Sequence, residues 1–149
     1  MRNAAALFAA SVLAPALAAQ IPTLKPGQYE IVSKISVPGS PAQMPEQKFL
    51  HCYTPQEIEN LAQVVAGRSA DENCKLLSSK LAGSMLTFAT ECAFPDGSRM
   101  TSSGEATFTS QDSYRAVVNL KRSGERGDDP VFNGSRMAIT AKRIGDCAK

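Results

Sequence analysis

The chain has few aromatic residues and a single histidine, two residue types on which many nucleic-acid-binding and catalytic sites depend. Its 149 residues include no tryptophan, three tyrosines and six phenylalanines, so no array of rings for stacking bases or sugars is indicated. His51 is the single histidine and no Gly-x-Ser-x-Gly motif occurs, so serine catalysis would depend on that one imidazole. The sequence therefore predicts no catalytic residue and no cofactor.

Metal ligands are also scarce. No Cys-x-x-Cys pair occurs, and His51 is adjacent to Cys52, so in a strand the two side chains point to opposite faces and do not chelate together. Asp128 and Asp129 are adjacent carboxylates, but they lack the spaced ligands and the terminal glutamate of a calcium loop. We expect a solvated loop there and no metal site.

Long apolar runs are absent except near Met1. Arg2 precedes an apolar stretch at residues 4–13, which is followed by Pro15 and the small-x-small triplet at residues 16–18. This order is typical of a secretory signal peptide, and we expect cleavage after Ala18 or, as a second choice, after Ala19. An ordinary first helix is the alternative. No other segment approaches the ~20 apolar residues of a membrane-spanning helix, so we expect no integral membrane segment after cleavage.

The signal peptide would occupy residues 1–18 of the 149 and leave residues 19–149 as one domain of 131 residues. Loss of Arg2 reduces the 16 Lys and Arg to 15, against 14 Asp and Glu, which gives a formal charge of +1. That balance predicts no nucleic-acid partner and no strong attraction to an anionic membrane. The expected location is the periplasm of a Gram-negative bacterium, or the medium if the protein is secreted.

Four cysteines, an even number, predict two disulfides in an exported chain. Residues 74–92 fit one β-hairpin, because Gly83 lies midway and Gly83-Ser84 suits a tight turn. Pairing symmetric about Gly83 would place Cys74 opposite Cys92, whereas a two-residue turn would offset them by one unless a bulge restored the match. The alternative is two separate buried thiols. Joining Cys74 to Cys92 leaves Cys52 to pair with Cys147.

Alternating polar and apolar residues predict further strands at residues 28–37, 48–53, 99–109, 113–121 and 135–144. Thr54-Pro55-Gln56-Glu57 is a capping box that begins a helix over residues 55–66, and Gly104 suggests a bulge or bend in its strand. The predicted fold class is mainly β, an antiparallel meander sheet curled into a partly or fully closed barrel with one short α-helix. Closure is favoured because a Cys52–Cys147 link would draw the last strand toward the first ones. A two-sheet β-sandwich is the alternative.

Three short polar motifs have ordinary structural explanations. Asn133-Gly134-Ser135 matches a glycosylation acceptor, but Asn-Gly is first of all a turn signal. The basic pairs Lys121-Arg122 and Lys142-Arg143 lie near predicted strand ends. We expect them to blunt exposed sheet edges rather than to bind an anionic partner.

Several separated segments together resemble one known family. They read KPGQYE at residues 25–30, CYTP at 52–55, NC at 73–74, a cysteine at 92 and KRIGDC at 142–147. In order and spacing the chain resembles an exported proteobacterial family catalogued as domain of unknown function 3617. The resemblance covers nearly all of the mature chain and implies a periplasmic or secreted location and two disulfides. It brings no assigned activity and no functional residues.

A disulfide-linked β domain without a catalytic constellation favours a non-enzymatic binding or envelope-maintenance protein. It would bind either a small apolar ligand inside the curled sheet or another envelope protein along an exposed edge, and the ligand-binding residues stay unassigned. The alternative is a small hydrolase or isomerase of the cell envelope that uses His51 or the Asp128-Asp129 pair. A third hypothesis, exchange of the disulfides, requires an exposed cysteine of low pKa.

Overall fold

The computed structural model describes residues 24–40, 44–60, 73–124 and 133–148. The signal peptide predicted at residues 1–18 lies outside this set. Within it the chain forms strands and one short helix in the order β1 (Gly27–Ser36), β2 (Gln47–Tyr53), α1 (Pro55–Glu59), β3 (Cys74–Ala82), β4 (Met85–Ala93), β5 (Arg99–Ser110), β6 (Ser113–Ser123) and β7 (Ser135–Gly145).

All seven strands belong to one antiparallel sheet with the order β2-β1-β7-β6-β5-β4-β3. Strands β3 to β7 form the predicted meander, since each strand pairs with the next one along the chain. β1 pairs with the free side of β7, and β2 pairs with β1. The predictions of a mainly β, antiparallel fold and a short helix are confirmed.

The prediction of a closed barrel is wrong, because the sheet is open and only partly curled. The two-sheet sandwich is also wrong for the described residues, which form a single sheet. Closure would require β2 to pair with β3, and these strands lie at opposite edges. The last strand does lie beside the first, but β1 and β2 extend the meander outward. The Cys52–Cys147 link therefore holds β2 to the end of β7 across β1 and does not join the two edges.

The β3–β4 hairpin contains the bulge on which the cysteine pairing depends. Gly83 and Ser84 form a two-residue turn between the paired residues Ala82 and Met85, and Gly83 has φ of 60°, which suits glycine. The register shifts between Leu76 and Ser78, so Leu77 is an extra residue. This one-residue bulge cancels the offset of the turn and brings Cys74 opposite Cys92.

Alternation along the strands gives the sheet two different faces. The inner face is apolar and carries the core, in which Tyr29, Ala106, Val118 and Ala141 are fully buried. The outer face consists of the residues of opposite parity, and its side chains are exposed or half-buried. The remaining core residues are Leu24, Ile31, Tyr53, Ile58, Leu86, Phe88, Phe108, Tyr114, Ala116 and Ile139.

Gly104 marks a close approach of two strands and not the predicted bulge. The register between β5 and β6 is continuous from Arg99 to Phe108, and the shift falls between Phe108 and Ser110. A Cβ atom on Gly104 would overlap the carbonyl oxygen of Val117 on β6. Glycine is therefore required here by the neighbouring backbone.

The helix begins where the capping box predicts. The Thr54 side chain accepts from the Glu57 amide, Pro55 is the first helical residue, and Ile58 is buried. Asn60 is the C-cap of the described helix, and residues 61–66, the rest of the predicted helix, lie outside the described residues. No helix in the described part of the chain has the length and apolar character needed to span a bilayer.

Candidate functional site

The structure joins the four cysteines in the predicted combination. The Cα atoms are 5.5 Å apart for Cys52–Cys147 and 3.9 Å apart for Cys74–Cys92. Cys92 is only 8% exposed, which gives an exchange reagent little access to it. Two disulfides fit an oxidising, extracellular type of compartment.

His51 and Glu57 form a half-exposed pair at the junction of β2 and α1. His51 Nε2 lies 3.1 Å from Glu57 Oε1, and the two side chains are 43% and 38% exposed. The His51 ring also packs against Tyr53, with ring centroids 4.5 Å apart. As predicted from the strand parity, His51 lies on the inner face opposite Tyr29, and Cys52 points to the other face.

The second oxygen of Glu57 belongs to the helix cap. Glu57 Oε2 accepts hydrogen bonds from the backbone N–H of Thr54 at 2.8 Å and from its hydroxyl at 2.9 Å. These bonds, followed by the one from His51, hold the pKa of Glu57 below its usual value. The Thr54 hydroxyl is thus bound to the carboxylate and not to the imidazole. The Thr54 hydroxyl is therefore part of the helix cap. To act as a nucleophile it would have to donate its proton to a base such as the His51 imidazole.

A row of buried tyrosines lies on the inner face beside His51. The ring of Tyr53 packs edge-on against that of Tyr29, with ring centroids 5.0 Å apart. The Tyr53 hydroxyl lies 3.0 Å from the Tyr114 hydroxyl. Tyr53 is on β2 and Tyr114 on β6, so this bond crosses β1 and β7 and is possible because the sheet curls there. Burial raises the pKa of Tyr53 and of Tyr114, and it raises the pKa of Tyr29 to about 12.

The two edges of the sheet differ in how open they are to another strand. β2 pairs with β1 in one continuous register, and its Phe49 and Leu50 are 50% and 59% exposed. β3 is bulged at Leu77 and carries Lys75 and Lys80. Bulges and lysines are the features that blunt an edge strand. β2 has no bulge and one lysine, Lys48, against the bulge and two lysines of β3, so among the described residues β2 is the more accessible edge.

The outer face holds an open groove of about 390 Å³. Glu105 and Arg136 are its charged lining residues, and its floor includes Gly104. A groove with one acid and one base has no clear preference for the charge of a ligand. The other lining residues are Thr87, Val117 and Asn119.

The basic pairs are placed differently from the prediction. β6 and β7 are interior strands, paired on both sides, so Lys121-Arg122 and Lys142-Arg143 do not blunt an edge. The two residues of each pair lie on opposite faces. Arg122 is mostly buried, lies over the Phe94 ring at 5.1 Å and forms an ion pair with Asp96 at 3.2 Å.

Arg143 also has a structural role on the inner side of the sheet. Its Nε donates to the carbonyl oxygen of Pro26 at 2.9 Å, and its guanidinium pairs with Asp146.

Among the other motifs, Asn133-Gly134 is a turn in which Gly134 has φ of 83°. The Asp128-Asp129 pair lies outside the described residues, and no group of three potential metal ligands occurs within them.

These features define an open, single-sheet antiparallel β protein with two disulfides. Residues 24–147 match the family model described as a protein of unknown function (DUF3617), so the chain belongs to that family. The match confirms the resemblance to domain of unknown function 3617 seen in the sequence. No curated protein and no solved structure matches the chain.

Proposed function

We propose that the chain is exported to the periplasm or secreted, and that it is a non-enzymatic protein that binds an extended segment of an envelope protein along β2. The accessible β2 edge carries the proposal. An added strand would hydrogen-bond to the side of β2 that no described strand occupies, and side chains on its two faces would pack against Phe49 and Leu50. Phe49 faces inward opposite Ile31, and Leu50 faces outward opposite Glu30.

The apolar inner face is less suited to a ligand. Leu86, Phe88, Ala106 and Val118 are each at most 4% exposed, so their surface is already covered. A ligand inside the sheet would have to displace these contacts. We therefore favour a protein partner at the edge over a small apolar ligand.

Site-specific photocrosslinking tests the edge. A photoreactive amino acid is placed at Phe49 or Leu50, and matched probes are placed at Leu77 and Leu81 on β3, which are 50% and 40% exposed. In intact envelopes we expect both β2 probes to crosslink to the same partner protein, and the β3 probes not to crosslink to it. The crosslinked peptide of the partner should have alternating apolar residues. Adducts from β3 alone, or none from either edge, would refute the proposal.

Export is tested separately. Sequencing of the mature N-terminus should begin at Ala19 or Gln20, and the protein should be in the periplasmic fraction or the medium. Retention of Arg2 on the accumulated protein would contradict the signal-peptide prediction.

The second candidate, a small envelope hydrolase or isomerase, would use the imidazole of His51, which lies 3.1 Å from Glu57 Oε1. If the protein hydrolyses a panel of nitrophenyl esters above a protein-free control and His51→Ala abolishes that activity, the enzyme is favoured. If the protein only binds a partner, neither the native form nor His51→Ala should hydrolyse the esters. Glu57→Gln is the matched variant for the residue that contacts His51, because it keeps the shape of the side chain and removes its charge.

A further inference from the structure

The outer face of the sheet is strongly basic, although the whole chain has a formal charge of only +2. Nine basic and three acidic residues of the strands lie on this face, a net charge of +6, so the rest of the chain sums to −4. The basic residues are Lys34, Lys48, Lys75, Lys80, Arg99, Arg115, Lys121, Arg136 and Lys142, and the acidic ones are Glu30, Glu91 and Glu105.

Few of these charges are neutralised locally. Glu91 pairs with Lys75 at 3.1 Å and with Arg99 at 3.0 Å, and Lys34 pairs with Glu46 at 2.9 Å. Within the described residues the other six cations form no ion pair with an acidic side chain. They are Lys48, Lys80, Arg115, Lys121, Arg136 and Lys142.

The charges are spread over the face and do not converge on a pocket. Arg115 and Lys142 lie toward one end of β6 and β7, and Lys121 and Arg136 toward the other. With ~3.3 Å per residue and ~4.8 Å between strands, the face measures roughly 35 Å by 30 Å. A broad anionic surface complements such a distribution better than a small anion does.

Two properties of the face favour a lipid surface over a nucleic acid. No aromatic residue of the described strands lies on it, so it offers no platform for stacking bases. Two exposed apolar side chains lie on this face, Leu50 on the edge strand β2 and Met85 at the start of β4, next to the other edge strand β3. Cations flanked by apolar side chains suit the boundary between headgroups and acyl chains.

We propose that the outer face docks on the surface of an anionic phospholipid bilayer. The dispersed lysines and arginines contact the headgroups, and Leu50 and Met85 contact the outermost acyl region. The inner face takes no part in these contacts. Leu50 is shared with the proposed strand addition, but Arg115, Lys121 and Arg136 lie on β6 and β7, away from the β2 edge, so variants of these three cations test docking separately from that addition.

Vesicle sedimentation tests this proposal. The native protein and every variant are purified in the form that accumulates in the producing cell, so that all of them have the same N-terminus. The vesicles contain equal parts phosphatidylglycerol and phosphatidylcholine, or phosphatidylcholine alone. We expect binding to the anionic vesicles only, and weakening as sodium chloride is raised. Equal binding to both vesicle types, or to neither, would overturn the proposal.

A triple variant locates the binding on the outer face. Arg115→Gln, Lys121→Gln and Arg136→Gln together should lower the partition coefficient at least about tenfold. The charge-preserving triple Arg115→Lys, Lys121→Arg and Arg136→Lys is the matched control and should bind like the native protein. Unchanged binding by the glutamine variant would refute the assignment, as would binding to duplex DNA without binding to vesicles.

Discussion

The hydrogen bond between the hydroxyls of Tyr53 and Tyr114 should stabilise the curled sheet, and a double-mutant cycle can measure its contribution. The two hydroxyls lie 3.0 Å apart, and the residues are 4% and 2% exposed. Tyr53→Phe or Tyr114→Phe alone removes one hydroxyl and leaves the other in the same buried site. The double variant removes both and keeps both rings.

The expected magnitude follows from this burial. A buried polar group that loses its partner destabilises a protein by about 1–3 kcal/mol, whereas replacing both partners with apolar groups is nearly neutral. Each single variant should therefore lower the free energy of unfolding by about 1–2 kcal/mol. The double variant should be nearly neutral, so it should be destabilised by about 2–4 kcal/mol less than the sum of the two single effects.

Urea denaturation followed by far-ultraviolet circular dichroism, with the disulfides kept oxidised, gives these free energies. Tyr29→Phe provides the control, because its hydroxyl donates to the carbonyl oxygen of Lys25 and not to Tyr114. A cycle of Tyr29→Phe with Tyr114→Phe should give a smaller coupling than the cycle of Tyr53→Phe with Tyr114→Phe, because no hydrogen bond joins the hydroxyls of Tyr29 and Tyr114. Additivity between Tyr53→Phe and Tyr114→Phe would refute the proposed coupling.

Further predictions concern the close approach of β5 and β6 at Gly104, the helix cap, alkaline pH and one disulfide. Gly104→Ala should destabilise by about 1–3 kcal/mol in urea denaturation, because its methyl group would overlap the β6 backbone. Thr54→Ala should lose about 1 kcal/mol by the same assay, because the helix loses its N-cap. Since burial raises the pKa of Tyr29 to about 12, its contribution to stability is complete below its unfolded pKa of about 10 and is lost as the pH rises through its folded pKa. Unfolding followed by tyrosinate absorbance should therefore begin above about pH 10, and stability unchanged up to pH 12 would contradict this. Replacing Cys74 and Cys92 with serine should lower the free energy of unfolding by about 3 kcal/mol, measured in urea.

Local chemistry in the sequence determined the helix start, the strand positions and the hairpin. The capping box at Thr54 acts within four residues, and the period-two alternation identifies a strand without reference to its neighbours. The pairing of Cys74 with Cys92 was expected from their symmetric spacing about Gly83, but the bulge at Leu77 that aligns them across a two-residue turn is seen only in the structure.

The tertiary structure alone decided the strand order, the openness of the sheet and the distribution of charge. Whether β1 extends the meander or closes it depends on contacts between residues far apart in the chain, and no local pattern encodes that choice. The net charge of +2 is the sum of a basic outer face and an acidic remainder of the chain, so it does not reveal the charge of either one. Parity in each strand places Lys34, Arg115 or Lys142 on the polar side, but only the register of seven strands unites them on one surface.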